Sequence, residues 1–233
     1  MQYNNIHPVK IIRRENRFIA TVLYNSVQMR VHVKNTGRLR ELIREGATGY
    51  IALSDNPTRR TPADLVAVEL EKAEGSVTVN IDSTAPNDIA YEWIAESGLF
   101  SKNCIVRREV THGDSRFDLF VEDDGRRVFI EVKGVTLVKD GVAFFPDAPT
   151  ERGEKHINGL ISAVAEGYEA MLLFIIARED ASLFRPNYTT DRRFSLALKR
   201  AEKSGVAIRA YTCRVTPDSA AVEREIPISL EEI

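Results

Sequence analysis

One segment of the chain, residues 115–133, constrains the fold more than any other. At its centre lies Asp124-Gly125, the dipeptide typical of a two-residue type I′ hairpin turn, and apolar residues alternate on both sides of it. Such a turn fixes the register of the two strands, because residue 123 must then lie opposite residue 126 and each step from the turn adds one pair. The segment therefore predicts an antiparallel hairpin whose opposed residues can be read from the sequence.

In this register the hairpin has one apolar side and one charged side. The pairs predicted on the apolar side are Phe117 with Val132, Leu119 with Ile130, and Val121 with Val128. On the charged side Asp118 faces Glu131. Lys133 and Phe129 share that face, because side chains two residues apart on a strand point the same way. We therefore expect a helix to cover the apolar side and a polar cluster to form on the other.

The opposed carboxylates of Asp118 and Glu131 are the chemically informative pair. Their Cβ atoms should lie about 5 Å apart, a distance at which two negative charges repel. Either one carboxyl holds a proton or a cation lies between them, and hard oxygen ligands favour Mg²⁺ or Mn²⁺. The ammonium of Lys133 would then hold an attacking water or stabilise charge developing on a phosphate. The alternative interpretation is a solvated face of alternating acids and lysine.

Short β-rich runs separated by turn signals fill the first part of the chain. The predicted strands are residues 9–13, 18–23, 27–33, 49–53, 65–70 and 77–79. Their β-branched composition and spacing are typical of a small barrel or sandwich. The turn-rich stretch at residues 81–86 marks the expected boundary, so that residues 1–84 form an all-β domain.

The rest of the chain, residues 85–233, predicts a different fold class. Helix, strand, strand, strand, helix, strand, helix and strand follow one another along it. Asn87 and Thr150 are the expected N-caps of the first two helices, and residues 172–177 form an apolar run typical of a buried strand. Strands interleaved with crossover helices predict an α/β domain with a mixed, partly parallel sheet.

Composition excludes several classes of protein. With 43% hydrophobic and 28% charged residues, the chain of 233 residues is typical of a folded globular protein. Its two cysteines are too few for a disulfide framework. The N-terminus has no apolar core of signal-peptide length, and the longest apolar run, residues 171–177, is far too short to cross a bilayer. We therefore expect a cytoplasmic protein that does not enter the membrane.

The net charge of −2 hides an asymmetry between the two parts. Residues 1–84 contain 12 Lys and Arg against 9 Asp and Glu, whereas residues 85–233 contain 20 against 25. Only local basic patches can therefore bind a polyanion. The candidates in the first part are Arg13, Arg14, Arg17, Arg38, Arg40, Arg59 and Arg60, with Asn35 in a polar loop and Phe18 or Tyr50 for base stacking. Taken singly, each is better explained by an ordinary surface, turn or core position.

A further basic group lies at the start of the helix that Thr150 is expected to cap. Arg152, Lys155 and His156 are spaced i, i+3 and i+4, which places them on one helical face near the positive end of the helix. Contact with a phosphate is the favoured interpretation, and a capped helix with a solvated basic face is the alternative. His156 is not expected to bind a metal, because no partner His or Cys has ligand spacing.

A helix carrying Glu92, followed by Asp118 and Glu131-Val-Lys133, resembles the PD-(D/E)xK nuclease superfamily. Nearly end to end, the chain is similar to the sugar fermentation stimulation protein (SfsA) family. The motifs that carry this closer resemblance are Asn35-Thr-Gly37, Ser54-Asp-Asn56, Ser115-Arg-Phe-Asp118, Glu131-Val-Lys133, Phe145-Pro-Asp-Ala148, Thr150-Glu-Arg-Gly153 and Lys155-His156.

The resemblance implies an N-terminal OB-like barrel joined to a PD-(D/E)xK nuclease-like domain, with DNA binding and a link to the regulation of sugar metabolism. By position, Asp118 and Glu131 match the metal-binding acids of the superfamily and Lys133 matches its lysine. Glu92 has the place of the additional helical acid. Nuclease folds can persist as binding modules, so the resemblance does not by itself imply catalysis.

Two positions depart from the patterns of these families. Phe117 stands where a proline usually precedes the first acid of the superfamily, a tolerated change. Lys34 stands where the narrower family often has a proline before Asn-Thr-Gly, which bears on the shape of that loop and leaves the chemistry unchanged.

The predicted function is that of a metal-dependent nuclease acting on DNA. Asp118, Glu131 and Glu92 are predicted to bind Mg²⁺ or Mn²⁺ and the barrel to hold the strand, with single- or double-stranded DNA and a monomer or homodimer left open. The first alternative is a DNA-binding regulator that binds metal without turnover, and the second is a metalloprotein that does not bind nucleic acid.

Overall fold

The first part of the chain forms a closed barrel in the computed structural model, which describes residues 1–35, 37–73 and 75–232. Its strands are β1 (Ile6–Arg14), β2 (Ile19–Tyr24), β3 (Val27–Val33), β4 (Thr48–Leu53), β5 (Ala63–Lys72) and β6 (Gly75–Asn80). They pair in the order β3-β2-β1-β4-β5-β6, and a parallel pairing of β3 with β5 closes the barrel. Every predicted strand of this part overlaps one of these strands, and only the strand predicted at residues 18–23 begins outside, one residue before β2.

The second part is a mixed sheet covered by helices on both faces. Its elements are α1 (Ala85–Ile94), β7 (Ile105–His112), β8 (Ser115–Asp123), β9 (Arg126–Val135), β10 (Val138–Lys139), β11 (Val142–Phe145), α2 (Glu151–Ala165), β12 (Glu169–Ile176), β13 (Leu183–Pro186), α3 (Arg192–Lys203), β14 (Ala207–Val215) and β15 (Ala220–Glu225). The main sheet has the order β15-β14-β12-β9-β8-β7, in which β12 runs parallel to β9 and β14.

Helix α1 packs on one face of this sheet, and helices α2 and α3 pack on the other. The predicted fold, an all-β barrel followed by a mixed sheet flanked by helices, is thereby confirmed. The prediction missed the small sheet β10-β11-β13 and the edge strand β15. The three strands of the small sheet have only two to four residues each, which is too short to give a periodic pattern in the sequence.

Between Leu119 and the turn, the hairpin β8–β9 has the register that its turn predicts. The pairs predicted beyond that point, Asp118 with Glu131 and Phe117 with Val132, are not among its strand pairs. Leu119 pairs with Ile130 and Val121 pairs with Val128. The φ angles of Asp124 and Gly125 are 47° and 84°, the left-handed backbone that both positions of a type I′ turn require. The local chemistry of one dipeptide therefore decides which residues of β8 and β9 meet.

The predicted apolar side of the hairpin is wrong at one position, Phe117. Its ring lies 5.1 Å from that of Phe129, in the core on the α2 side, whereas Leu119 packs on the α1 side. Strict alternation fails here because the pairing of β7 with β8 is interrupted where Glu109, at φ 56°, lies across from Asp118. Asp118 therefore occupies an irregular point of the sheet.

Of the two predicted helix caps, one is correct. The hydroxyl of Thr150 accepts a hydrogen bond from the backbone N–H of Gly153 at 3.0 Å, as an N-cap does. Asn87 is not a cap, because α1 begins two residues before it, at Ala85. Proline is favoured in the first turn of a helix, and Pro86 occupies that turn.

The two parts of the chain meet along a junction that hydrogen bonds and ion pairs hold. The N–H of Asn80, at the end of β6, donates to the carbonyl of Ala177 at 3.0 Å. Asp180 forms ion pairs with Lys72 of the barrel and with Arg178. The first residues of the chain belong to the second part rather than to the barrel, since the N–H of Tyr3 donates to the carbonyl of Asp218 at 2.7 Å. Within the described ranges, no helix combines the length and apolar character needed to span a bilayer.

Candidate active site

Glu131 is the centre of a buried polar cluster on the α2 face of the sheet. Its side chain, on β9, is 1% exposed. The same oxygen, Oε1, contacts the ammonium of Lys133 from the same strand and Nδ1 of His156 from α2. A buried carboxylate requires such partners, because an unpaired buried charge is strongly unfavourable. The cluster therefore joins a strand and a helix that the sequence separates by more than 20 residues.

The hydrogen bonds of His156 indicate which of its ring nitrogens carries the proton. Nε of Arg152 donates to Nε2 of His156 at 3.3 Å, one helical turn away. A guanidinium has donors only, so Nε2 accepts, and the ring proton on Nδ1 is donated to Glu131. His156, with 8% of its surface exposed, thus orients the carboxylate of Glu131 from helix α2.

Burial and neighbouring charges act in opposite directions on Glu131. Burial alone would raise the pKa of its carboxyl, but the hydrogen bond from His156 and the charge of Lys133 outweigh it and lower that pKa. The carboxylate is therefore ionised. Its second oxygen, Oε2, is buried and has no hydrogen-bond partner in the described part of the chain.

Asp118, on β8, is held in place by two hydrogen bonds. The side-chain amide of Asn87 donates to Oδ1 at 2.8 Å, and the backbone N–H of Val132 donates to Oδ2 at 2.8 Å. Burial and the negative charge of Glu131 raise the pKa of the Asp118 carboxyl, against the opposing effect of these donors and Lys133. Neighbouring carboxyls whose pKa values are moved apart are typical of catalytic sites.

Asp118 and Glu131 are also the residues that could hold a cation. Each oxygen of Asp118 accepts one hydrogen bond and keeps a free lone pair, and Oε2 of Glu131 has no described partner. Mg²⁺ is commonly bound by one or two carboxylates together with waters and substrate phosphates. The donor set therefore fits a hard divalent cation.

Glu92, on helix α1, does not lie in this cluster. The Glu92 side chain is 58% exposed, and its Oε2 lies 2.6 Å from the amino group of Met1. The residue of α1 that contacts Asp118 is Asn87, and five residues along a helix correspond to a different face. No group of three or more His, Cys, Asp and Glu residues suited to a metal is assembled within residues 1–35, 37–73 and 75–232. The predicted metal ligand Glu92 is therefore withdrawn.

The predicted phosphate-binding face of α2 is wrong at His156. Arg152 and Lys155 are exposed, as predicted, but His156 is buried against Glu131. The sequence held the signal for this. His156 lies four residues before Leu160, on the apolar stripe of an amphipathic helix, and stripe positions face the core.

Four of the predicted arginines line an open groove of about 760 Å³ on the barrel, namely Arg14, Arg17, Arg38 and Arg40. Ala148 and Pro149, directly before the cap of α2, form another part of its lining. The groove thus ends where the helix that carries Arg152 and His156 begins.

The remaining predicted nucleic-acid contacts lie elsewhere or have other partners. Arg14 lines the groove, but its guanidinium donates to the carbonyls of Asn16, Arg17, Asn35 and Arg38 at 3.1, 2.8, 3.0 and 2.5 Å. Arg14 therefore shapes the groove and is not free to bind a phosphate. Arg59 forms two hydrogen bonds with the carboxylate of Asp64. Arg13 and Arg60 are exposed and are not part of the groove lining.

Asn35 closes a turn and also borders a cleft between the two parts of the chain. Its Oδ1 accepts from the N–H of Gly37 at 2.8 Å, and its amide donates to the carbonyl of Ile81 at 2.8 Å. These are the hydrogen bonds of a residue that starts a turn, and Thr36, the middle residue of the motif, lies outside the described residues. Of the two predicted stacking aromatics, Phe18 is 51% exposed, whereas Tyr50 is half-buried.

Comparison with known proteins assigns both parts of the chain. Residues 12–81 match the family model described as "SfsA N-terminal OB domain", and residues 84–219 match the model described as "Sugar fermentation stimulation protein RE domain". A "Sugar fermentation stimulation protein homolog" from Ruminiclostridium cellulolyticum is 45% identical over 230 residues, which is 99% of this chain and 100% of the relative. A homolog of the same name from Desulfitobacterium hafniense is 44% identical over 232 residues, with 100% of both chains covered.

A solved structure has the same fold over nearly the whole chain. It is titled "The structure of Pyrococcus Furiosus SfsA in complex with Ca2+", and it superposes with a TM-score of 0.84 at 30% identity, covering 98% of each chain. The barrel followed by the mixed sheet is therefore the shared architecture of these proteins.

Proposed function

The chain belongs to the sugar fermentation stimulation protein family, and we propose that it is a DNA-binding protein that hydrolyses phosphodiester bonds with a divalent cation, Mg²⁺ or Mn²⁺. One observation carries this proposal. Lys133 contacts the carboxylate of Glu131, the charges of Glu131 and Lys133 both act on the carboxyl of Asp118, and the pKa values of the two acids are moved in opposite directions. A buried oxygen of Glu131 without a described partner is what an oxygen-preferring cation would engage.

When bound, such a cation would polarise the phosphate and lower the pKa of a coordinated water. The P. furiosus relative, according to its title, forms a complex with Ca²⁺, which is also a cation that prefers oxygen ligands. Asp118 and Glu131 are the residues proposed to hold the cation in this chain.

The other residues of the cluster orient the acids and provide positive charge. Asn87 and the backbone of Val132 hold the two oxygens of Asp118, and His156 holds one oxygen of Glu131. Lys133 is the cation nearest the two acids, where its ammonium would stabilise negative charge that develops on a phosphate. Preorganised donors of this kind do not have to move during the reaction.

The basic groove on the barrel would bind the DNA backbone. Arg17, Arg38 and Arg40 provide exposed positive charge along it, and Arg152 and Lys155 extend that charge toward the acid cluster. Contacts from such side chains to phosphates release counterions, so DNA binding is expected to weaken steeply as the salt concentration rises.

A second candidate function is that of a DNA-binding regulator without turnover. The observation that favours it is that Oε1 of Glu131 already contacts two basic side chains, Lys133 and His156, while α1 contributes an amide instead of a third acid. Such a site would bind a cation more weakly than a site with three carboxylates.

The two functions separate in one experiment. Purified protein with Mn²⁺ is expected to nick or degrade DNA, and Asp118→Asn is expected to abolish this while gel-shift binding persists. Asp114→Asn, an exposed acid in the adjacent β7–β8 turn, is the matched control and should retain activity. Absence of cleavage by the wild type on single- and double-stranded DNA would reject the hydrolase and favour the regulator.

A further inference from the structure

A cleft of about 150 Å³ lies between the barrel and the second part of the chain. Its apolar lining includes Pro86, Leu137 and Phe144, and its polar lining includes Asn35, the buried Asp82 and the exposed Asp147. None of the catalytic groups of the proposed hydrolase lines it. The cleft is therefore a separate site, and the chemistry of its lining residues indicates what it can bind.

The cleft connects the acid cluster with the basic groove. At one end, its lining residues Gly134 and Pro86 are the chain neighbours of Lys133 and Asn87. These two lining residues touch so closely that a Cβ on Gly134 would come within 2.6 Å of the Pro86 ring. The cleft thus opens beside the site proposed to cleave the strand.

At the other end the cleft borders the groove. A Cβ on Gly37, which lines the groove, would meet Oδ2 of Asp147 at 2.7 Å and Oδ1 of Asn35 at 2.9 Å. Ala148, which follows Asp147, also lines the groove. A strand whose phosphates lie in the groove therefore passes the mouth of the cleft before it reaches Lys133.

Size and polarity together define what the cleft can accept. A cavity of about 150 Å³ is large enough for one six-membered aromatic ring. A phosphate is not expected to enter, because Asp147 places a carboxylate at the rim. The other acid of the lining, Asp82, is buried and forms an ion pair with Lys34 at 2.6 Å, whereas no described residue forms a hydrogen bond or ion pair with the exposed Asp147. The occupant is therefore a single ring that carries a hydrogen-bond donor.

We infer that the cleft binds a cytosine base of a single-stranded DNA, with the carboxylate of Asp147 accepting a hydrogen bond from its exocyclic amine. A carboxylate is the usual protein partner of that amine, and thymine has a carbonyl oxygen in its place. The second N–H of the Asn35 amide, which the bond to Ile81 leaves free, can donate to the ring edge. The base must be unstacked to enter, which single strands allow at little cost.

This inference rests on the proposed function only in that a strand lies in the groove, and its test uses binding without cleavage. Fluorescence anisotropy would measure the affinity for oligo-dC and oligo-dT of about 12 nucleotides, within the range of OB-domain site sizes, in EDTA. Oligo-dC is expected to bind about tenfold more tightly than oligo-dT. In Asp147→Ala the ratio of the two affinities should fall to about one, with oligo-dT binding retained.

The matched control is Glu151→Ala, which removes an exposed acid four residues away that does not line the cleft. It should leave the preference for oligo-dC unchanged, and far-UV circular dichroism should show that both variants fold. Equal affinity of the wild type for the two oligonucleotides, or a preference that survives in Asp147→Ala, would overturn the inference. Since no divalent cation is present, neither result depends on whether the protein cleaves DNA.

Discussion

The basic groove on the barrel and the acid cluster on the sheet hold their charges in opposite ways. Arg17 and Arg38 are exposed at the rim of an open groove. Glu131 and His156 are buried and bonded to each other, and Lys133 is largely buried beside them. Exposed charges are screened by salt and can substitute for one another, whereas buried groups interact strongly and need a fixed geometry. The proposed function accordingly places strand binding in the groove and bond cleavage in the cluster.

The most damaging change is expected inside the cluster, at Lys133. Lys133→Met keeps the length of the side chain and removes the cation nearest the two acids. We expect the rate of DNA cleavage to fall by about 10²–10³-fold, the cost of losing one donor that stabilises a transition state, with DNA affinity nearly unchanged. Single-turnover cleavage and gel-shift assays on the same preparation measure both quantities.

Lys139→Met is the control for Lys133→Met, because Lys139 is an exposed lysine on β10. It should cleave DNA at the wild-type rate. If Lys133→Met loses DNA affinity as strongly as cleavage, the separation of binding and chemistry between the two regions is wrong.

A smaller effect is expected from His156, which acts on the site through Glu131. His156→Leu removes the donor to Oε1 while keeping an apolar side chain of similar size in a buried position. Loss of a residue that orients a metal ligand usually costs about 10–100-fold in metal affinity. Calorimetric titration with Mn²⁺ in the absence of DNA should show this loss. Arg152→Ala removes the more distant donor and should cost less, and an unchanged Mn²⁺ affinity in His156→Leu would exclude the positioning role.

The junction between the two regions contributes stability that depends on pH through Asp180. Burial alone would raise the pKa of this carboxyl, but hydrogen bonds from Arg178 and Lys72 outweigh it and lower the pKa from 3.8 to about 2. A carboxyl whose pKa is lower in the folded state stabilises that state above the unfolded pKa. This contribution is lost as the pH falls through the folded pKa.

Asp180→Asn should therefore lower the free energy of unfolding by about 2 kcal/mol at neutral pH. Urea denaturation at several pH values should show the difference from wild type shrinking as the pH falls from about 4 to about 2. Asp140→Asn, at an exposed turn, should show no such difference. A difference between Asp180→Asn and wild type that does not change with pH would contradict the ion pairs at the junction.

The smallest effect is expected in the groove. Arg38→Ala removes one of several exposed cations, so DNA affinity should fall only a few-fold. The slope of log affinity against log salt concentration should decrease by about 1. The cleavage rate of bound DNA should not change. Arg13→Ala, an exposed arginine outside the groove lining, is the control and should leave the slope unchanged. If Arg13→Ala and Arg38→Ala changed the salt dependence of DNA affinity equally, the groove would be excluded as the path of the strand.

What could be predicted from the sequence depended on local chemistry. Asp124-Gly125 sets the hairpin register because its backbone conformation is available to few dipeptides. Thr150 caps α2 for an equally local reason. These two features predict the pairing of β8 with β9 near the turn and the start of α2, but not the contacts that Asp118 and Glu131 make.

The parts that were missed depend on contacts between distant segments. Whether α1 presents Asn87 or Glu92 to Asp118 is decided by where the helix begins and by the packing of Pro86 on Gly134 of β9. The sequence of the helix alone does not indicate that Pro86 packs on Gly134. The side on which Phe117 packs depends on the left-handed backbone of Glu109 in the neighbouring strand, which is equally invisible in β8 itself.

The central claim is that Asp118 and Glu131 share one divalent cation. Crystals soaked in Mn²⁺ and measured at a wavelength where manganese scatters anomalously would test it most directly. We predict one anomalous peak within about 2.0–2.6 Å of an oxygen of each carboxylate, absent from Asp118→Asn crystals treated in the same way. Wild-type crystals in which manganese binds elsewhere, or not at all, while both carboxylates keep their positions, would contradict the account.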